Sequence, residues 1–166
     1  AVLLRELQGM LAGLYDAPAD HDVHDFLITD PGHAAALQGA SGAPPTDEQL
    51  LVVDDGDGLE VSLYVDRAVL DRLVERCPLR RLADDNLGDY CTALEGVSHF
   101  HYLVWSAVRA RHVSLLELEL QAEVDKYASA LRLLLAQRAG RFPGDLFERL
   151  FDRASFLPGL TAVERA

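Results

Sequence analysis

Glu95 and His99 stand four residues apart in the stretch ALEGVSHFH, and Glu119 and Glu123 stand four apart in LELELQAEVD. On an α-helix that spacing puts each pair on one face, one turn apart. Carboxylates and an imidazole converging from two facing helices are the donor set of carboxylate-type metal centres in helix bundles. Glu95, His99 and Glu123 are therefore the candidate metal ligands, with Asp125 or His101 nearby. A carboxylate-rich set would favour iron, manganese or magnesium over a thiolate-type zinc site. The competing reading is plainer: Glu95–His99 as a helix-surface pair, and Glu117, Glu119 and Glu123 as a solvated helix face. Bundle centres use Glu-x-x-His on two helices, whereas this chain has one pair at i, i+4 and no histidine on the second segment.

Two long helices must position these groups. From Asp85 to Arg138 the apolar residues recur at steps of three and four. They are Tyr90, Leu94, Val97, Val104 and Val108 on the first helix, with His101 inside the same stripe, and Leu116, Leu120, Val124, Tyr127, Leu131 and Leu134 on the second. Ser114-Leu-Leu-Glu117 reads as a capping box, so a helix starts there after a tight turn near Arg111–Val113. The result is an antiparallel helical hairpin. Its apolar faces are wide, which predicts that both helices are covered on two sides.

The rest of the chain supplies a small sheet. Phe26–Thr29, Gln49–Asp54 and Leu59–Val65 read as strands, the last two joined by the turn signal Asp-Gly-Asp-Gly. Alternation points Leu59, Val61, Leu63 and Val65 inward, with Glu60, Ser62 and Tyr64 outward. Helices are expected over residues 1–15, from Asp30-Pro31 to Gly39, over Arg67–Arg76 after Asp66, and from Asp145 with Leu146, Phe147, Leu150 and Phe151. Asp84 and Asp85 are expected to cap the hairpin. The predicted fold is α+β: a small three-stranded antiparallel sheet in residues 1–83, packed with a predominantly helical layer in 84–166 built on the long αα-hairpin. It is one domain. Thr161–Glu164 resembles a capping box opening a helix that the chain lacks, so a truncated C-terminus is expected.

Composition narrows the function. The net charge of −12 repels phosphate backbones and argues against nucleic-acid binding. No apolar run is long enough for a membrane span and no signal peptide is evident, so the cytoplasm is the expected location. Cys77 and Cys91 form no CxxC motif. Asp20-His21-Asp22-Val23-His24-Asp25 has metal-ligating types but reads as a capped polar turn. No nucleophile elbow, phosphate loop, dinucleotide fingerprint or HExxH is present. The sequence thus predicts a non-enzymatic protein-interaction or accessory module. It would act through the hairpin and the acidic surface, on a basic protein partner or as a homodimer. The alternative is a metal-dependent enzyme using Glu95, His99 and Glu123. A third reading is a small-ligand pocket between sheet and hairpin lined by Phe100, Tyr102 and Trp105.

Overall fold

The computed structural model describes residues 2–39, 46–54 and 58–152. Residues 40–45, the hairpin turn at 55–57 and the terminal capping motif lie outside the described residues. The elements run α1 (Val2–Tyr15), a 3-10 turn (Val23–Phe26), β1 (Leu27–Ile28), α2 (Pro31–Gln38), β2 (Glu48–Asp54), β3 (Leu59–Val65), α3 (Arg67–Glu75), α4 (Asp84–Val108), α5 (Leu115–Gln137) and a π-helical turn at Glu148–Asp152. The fold is α+β, as predicted. Among the described residues no helix is long and apolar enough to cross a membrane.

Local chemistry sets most helix starts. Asp30 accepts from the His33 N–H at 2.6 Å, and Asp66 accepts from the Ala68 N–H at 2.7 Å. Ser114 and Glu117 form the expected reciprocal box, at 3.2 and 2.7 Å. At α4 the expectation fails: Asp84 and Asp85 lie inside the first turn, and Asn86 accepts from the Ala83 N–H instead. The last expected helix is a short stretch that runs into the π-helical turn Glu148–Asp152; just before that turn Leu146 is buried while Phe147 is exposed.

The sheet is mixed, not purely antiparallel. Its order is β1-β3-β2; β2 and β3 form the antiparallel hairpin, and β1 pairs with β3 in parallel (Leu27 with Leu63, Ile28 with Tyr64). The physical reason is that both faces of β3 are covered, and such a strand belongs in the middle. Leu63 and Val65 face the main core, while Tyr64, expected outside, is buried beneath α2 with Ala34 and Leu51.

Pairing also sets which face Glu48 occupies. In the antiparallel register Glu48 lies opposite Val65, and Leu50 opposite Leu63, so all four share the core face. β2 begins one residue before the predicted start at Gln49, and that residue is Glu48. α4 crosses this face at Gly96. A Cβ there would stand 2.7 Å from Glu48 Cγ and 2.8 Å from Leu63 Cδ1, so only glycine admits the sheet this close.

α4 is the hub, packed by α1, α3, α5 and both strands of the hairpin. Tyr90, Ala93, Leu94, Val97 and Phe100 are fully buried on it. α5 is different. Leu116 and Leu134 lie about five turns apart on one side of the helix, yet Leu134 is buried and Leu116 is 66% exposed. The expectation that both helices are covered on two sides holds for α4 and fails for the first half of α5.

Candidate functional site

The two predicted partners on α4 do meet acidic groups, in a partly different set. His99 is 7% exposed. Its Nδ1 lies 3.5 Å from Glu48 Oε1 and its Nε2 lies 3.8 Å from Glu119 Oε1. Both distances exceed a good hydrogen bond, and His99 Nε2 and Glu48 Oε1 are buried polar atoms without a hydrogen-bond partner. Glu95, His99 and Glu119 each offer a ligand atom within 4.8 Å of the others. Glu123 turns elsewhere: its carboxylate takes Lys126 Nζ at 2.6 Å, and the same ammonium holds Glu95 at 2.9 Å. Lys126 is the chain's one lysine, placed at i+3 from Glu123, and its side chain is 13% exposed. That spacing was the available signal that Glu123 already has a cation. No local signal marks Glu48, because Leu50, Leu51, Val52 and Val53 are all apolar and do not alternate.

Four carboxylates thus surround one permanent cation and one imidazole. Burial disfavours the imidazolium of His99, but Glu48, then Glu119 and Glu95, outweigh it and hold its pKa above the ordinary histidine value. Burial pushes the Glu48 carboxyl up against the pull of His99. His101 is held below its ordinary value, chiefly by burial. The sign follows by linkage: a raised folded pKa gives stability fully present below the unfolded value and lost as pH rises through the folded one. In chelator-treated protein, His99 should titrate last and His101 first of the two, read from their ring-proton NMR shifts. The reverse order would show that the carboxylates do not govern His99.

The opposite flank of α4 builds a second polar cluster around Asp125, which is 2% exposed. Its carboxylate accepts from Tyr15 Oη at 2.5 Å, Ser98 Oγ at 2.6 Å and Gln121 Nε2 at 2.9 Å. Burial, then the Asp125 carboxylate, pushes the Tyr15 phenol up to about 12. These groups floor a cleft of about 210 Å³ lined also by Ala17, His101, Tyr102, Trp105 and Arg111. The expected pocket between sheet and hairpin is therefore corrected: Tyr102 and Trp105 line a cleft formed with the end of α1. Phe100 is fully buried against Phe26 instead. Ser98 donates its hydrogen bond to the Asp125 carboxylate rather than to an imidazole, so no Ser–His pair forms there. In the acidic-histidine segment, Asp22 caps the His24 N–H and pairs with Arg5, as a structural turn would.

The third feature is apolar and exposed. Leu115, Leu116, Leu120 and Val124 are 73, 66, 57 and 56% exposed along the first half of α5. From Val124 the line runs into a shallow groove of about 340 Å³ with Tyr127, Ala128, Phe147 and Phe151. The charged residues between Leu115 and Val124 are Glu117, Glu119 and Glu123, all acidic.

Compared with protein-family models, with curated proteins and with solved structures, the chain matches none.

Proposed function

We propose that this chain is a non-enzymatic interaction module that receives a basic amphipathic helix along the uncovered side of α5. The observation that carries the reading is the ridge Leu116–Leu120–Val124, more than half exposed and continuous with the Val124–Phe147 groove. Anchors at i, i+4 and i+8 beside a groove suit helix-in-groove recognition. Charge selects the partner. Three glutamates flank the ridge with no basic residue between them, and the whole chain carries −12. A second copy packed face to face would bring six glutamates together, whereas lysines or arginines flanking an apolar stripe would complement them. Burying the remainder of these three side chains contributes roughly 1 kcal/mol each, before the larger cost of association. The surface therefore suits reversible rather than permanent binding.

Anisotropy with a labelled Leu/Lys amphipathic peptide and its Leu/Glu counterpart tests this. The basic peptide should bind and the acidic one should not. The double variant Leu116→Ser/Leu120→Ser should weaken binding roughly tenfold or more while changing stability by only about 0.5 kcal/mol, as surface substitutions do. Equal binding to the variant would reduce the effect to charge alone and overturn the reading. Binding that appears only after removal of residues 153–166 would overturn it in favour of the chain's own end. A dimer that dissociates in the variant, without peptide binding, would make a second copy the occupant.

A further inference from the structure

We infer that Glu95, Glu119 and Nε2 of His99 hold one divalent first-row transition ion, with Glu48 orienting the imidazole from behind. The site shares Glu119 with the acidic flank of the α5 ridge, but it is built on the buried His99 of α4 and does not depend on what the ridge receives.

Acidic groups alone would not carry this. The pointer is the imidazole: His99 is more than nine-tenths buried, and its Nε2 has no hydrogen-bond partner while facing Glu119. A buried polar atom left unpaired costs free energy, and an ion at Nε2 removes that cost. Two ligands of one ion, each about 2.1 Å from it, stand at most about 4.2 Å apart. Only one pair can stand that far apart; three ligands of one ion lie about 3.5 Å from one another, so atoms now within 4.8 Å, two of them 3.8 Å apart, must close by at most about 1.3 Å. Glu119, half exposed on the first turns of α5, can supply that movement.

The other face of the ring completes the arrangement. Nδ1 faces the buried Glu48 carboxylate at 3.5 Å. A carboxylate behind a ligating histidine fixes its tautomer and raises its basicity. The ion takes the Nε2 lone pair, any proton there leaves to water, and Nδ1–H stays facing Glu48. Lys126 sits on Glu95 Oε2 and on Glu123, leaving Glu95 Oε1 as the donor and removing Glu123 from the set. One nitrogen and two carboxylates, with the open side toward solvent at Glu119, suit zinc, manganese or ferrous iron, with water filling the remaining positions. Magnesium, which demands oxygen ligands, suits it less.

Calorimetric titration of the chelator-treated full chain with Zn²⁺ and with Mn²⁺ tests the inference. One ion per chain is expected, with the ¹⁵N resonance of His99 Nε2 shifting on Zn²⁺ addition. Glu119→Gln, a half-exposed change that leaves the core intact, should weaken binding at least tenfold. Glu48→Gln should weaken it by a similar factor through the ring, as outer-shell partners of metal-binding histidines do. Glu123→Gln should change it less than twofold. No saturable binding of either ion, or an Nε2 resonance that stays unmoved, overturns the site. Equal losses in Glu119→Gln and Glu123→Gln would reduce it to diffuse attraction by acidic groups and overturn it as well.

Discussion

Asp125→Ala is expected to lower the unfolding free energy by about 3 kcal/mol, the loss typical of a hydrogen bond to a buried charge plus its orphaned partner. Three donors converge on that carboxylate, but they do not lose equally. Ser98 is 1% exposed and loses its acceptor, whereas Tyr15, 44% exposed, can turn to solvent. Most of the effect is therefore the stranded Ser98 hydroxyl and the space the side chain vacates. For a chain of this length the melting temperature should fall by roughly 6–12 °C. A second readout isolates the local cause. Tyr15 titrates near 12 because of burial and the adjacent carboxylate; without Asp125 it should ionise nearer the ordinary tyrosine value. The wild type should also lose stability as pH rises from the unfolded tyrosine value near 10 toward 12, since the unfolded chain releases that proton first. A variant with unchanged melting and an unchanged tyrosine absorbance titration would show that the network does not support the fold.

Gly96→Val should cost about 3 kcal/mol, at the upper end of what overpacking costs. The added carbon would stand within 2.8 Å of Leu63 Cδ1, and Leu63 is fully buried with nowhere to go. Gly96→Ala adds less, and alanine's better helix propensity, about 1 kcal/mol, offsets part of the clash; a net cost near 1 kcal/mol is expected. Both variants push the sheet from α4 and carry Glu48 away from His99, so His99 should titrate closer to the ordinary histidine value. Urea unfolding followed by circular dichroism gives the first quantity, and ring-proton NMR the second. A valine variant as stable as the wild type would mean that strand and helix do not approach this closely.

What could be read in advance follows the range of the interaction. Asp30, Asp66 and the Ser114/Glu117 box act within one helical turn, and their helices begin where the sequence places them. The parallel pairing of β1 goes with α2 covering the far face of β3, a contact between residues distant in sequence that no local pattern carries. Glu48 lies just outside the predicted strand Gln49–Asp54, and the register that turns it inward is visible only once β2 is paired with β3. On α5, Glu119 and Glu123 are indistinguishable by spacing from the turn; the choice between them is made by Lys126. Asp125, a charged residue on a helix with other acidic groups, carries no local sign that Tyr15, more than a hundred positions earlier, will donate to it.

The contrast between α4 and α5 also sets where backbone amides open. The middle of α4 is enclosed by three helices and the sheet, so its amides should exchange with solvent only through the largest unfolding events. The opening turns of α5 rest on the rest of the molecule along one side, with Leu115, Leu116 and Leu120 in water, and they should exchange by local fraying. An occupant of the ridge would then be recorded as a block of slowed deuterium uptake confined to the start of α5, with α4 unchanged. The quietest helix supplies the internal reference, and the loosest one reports the visitor.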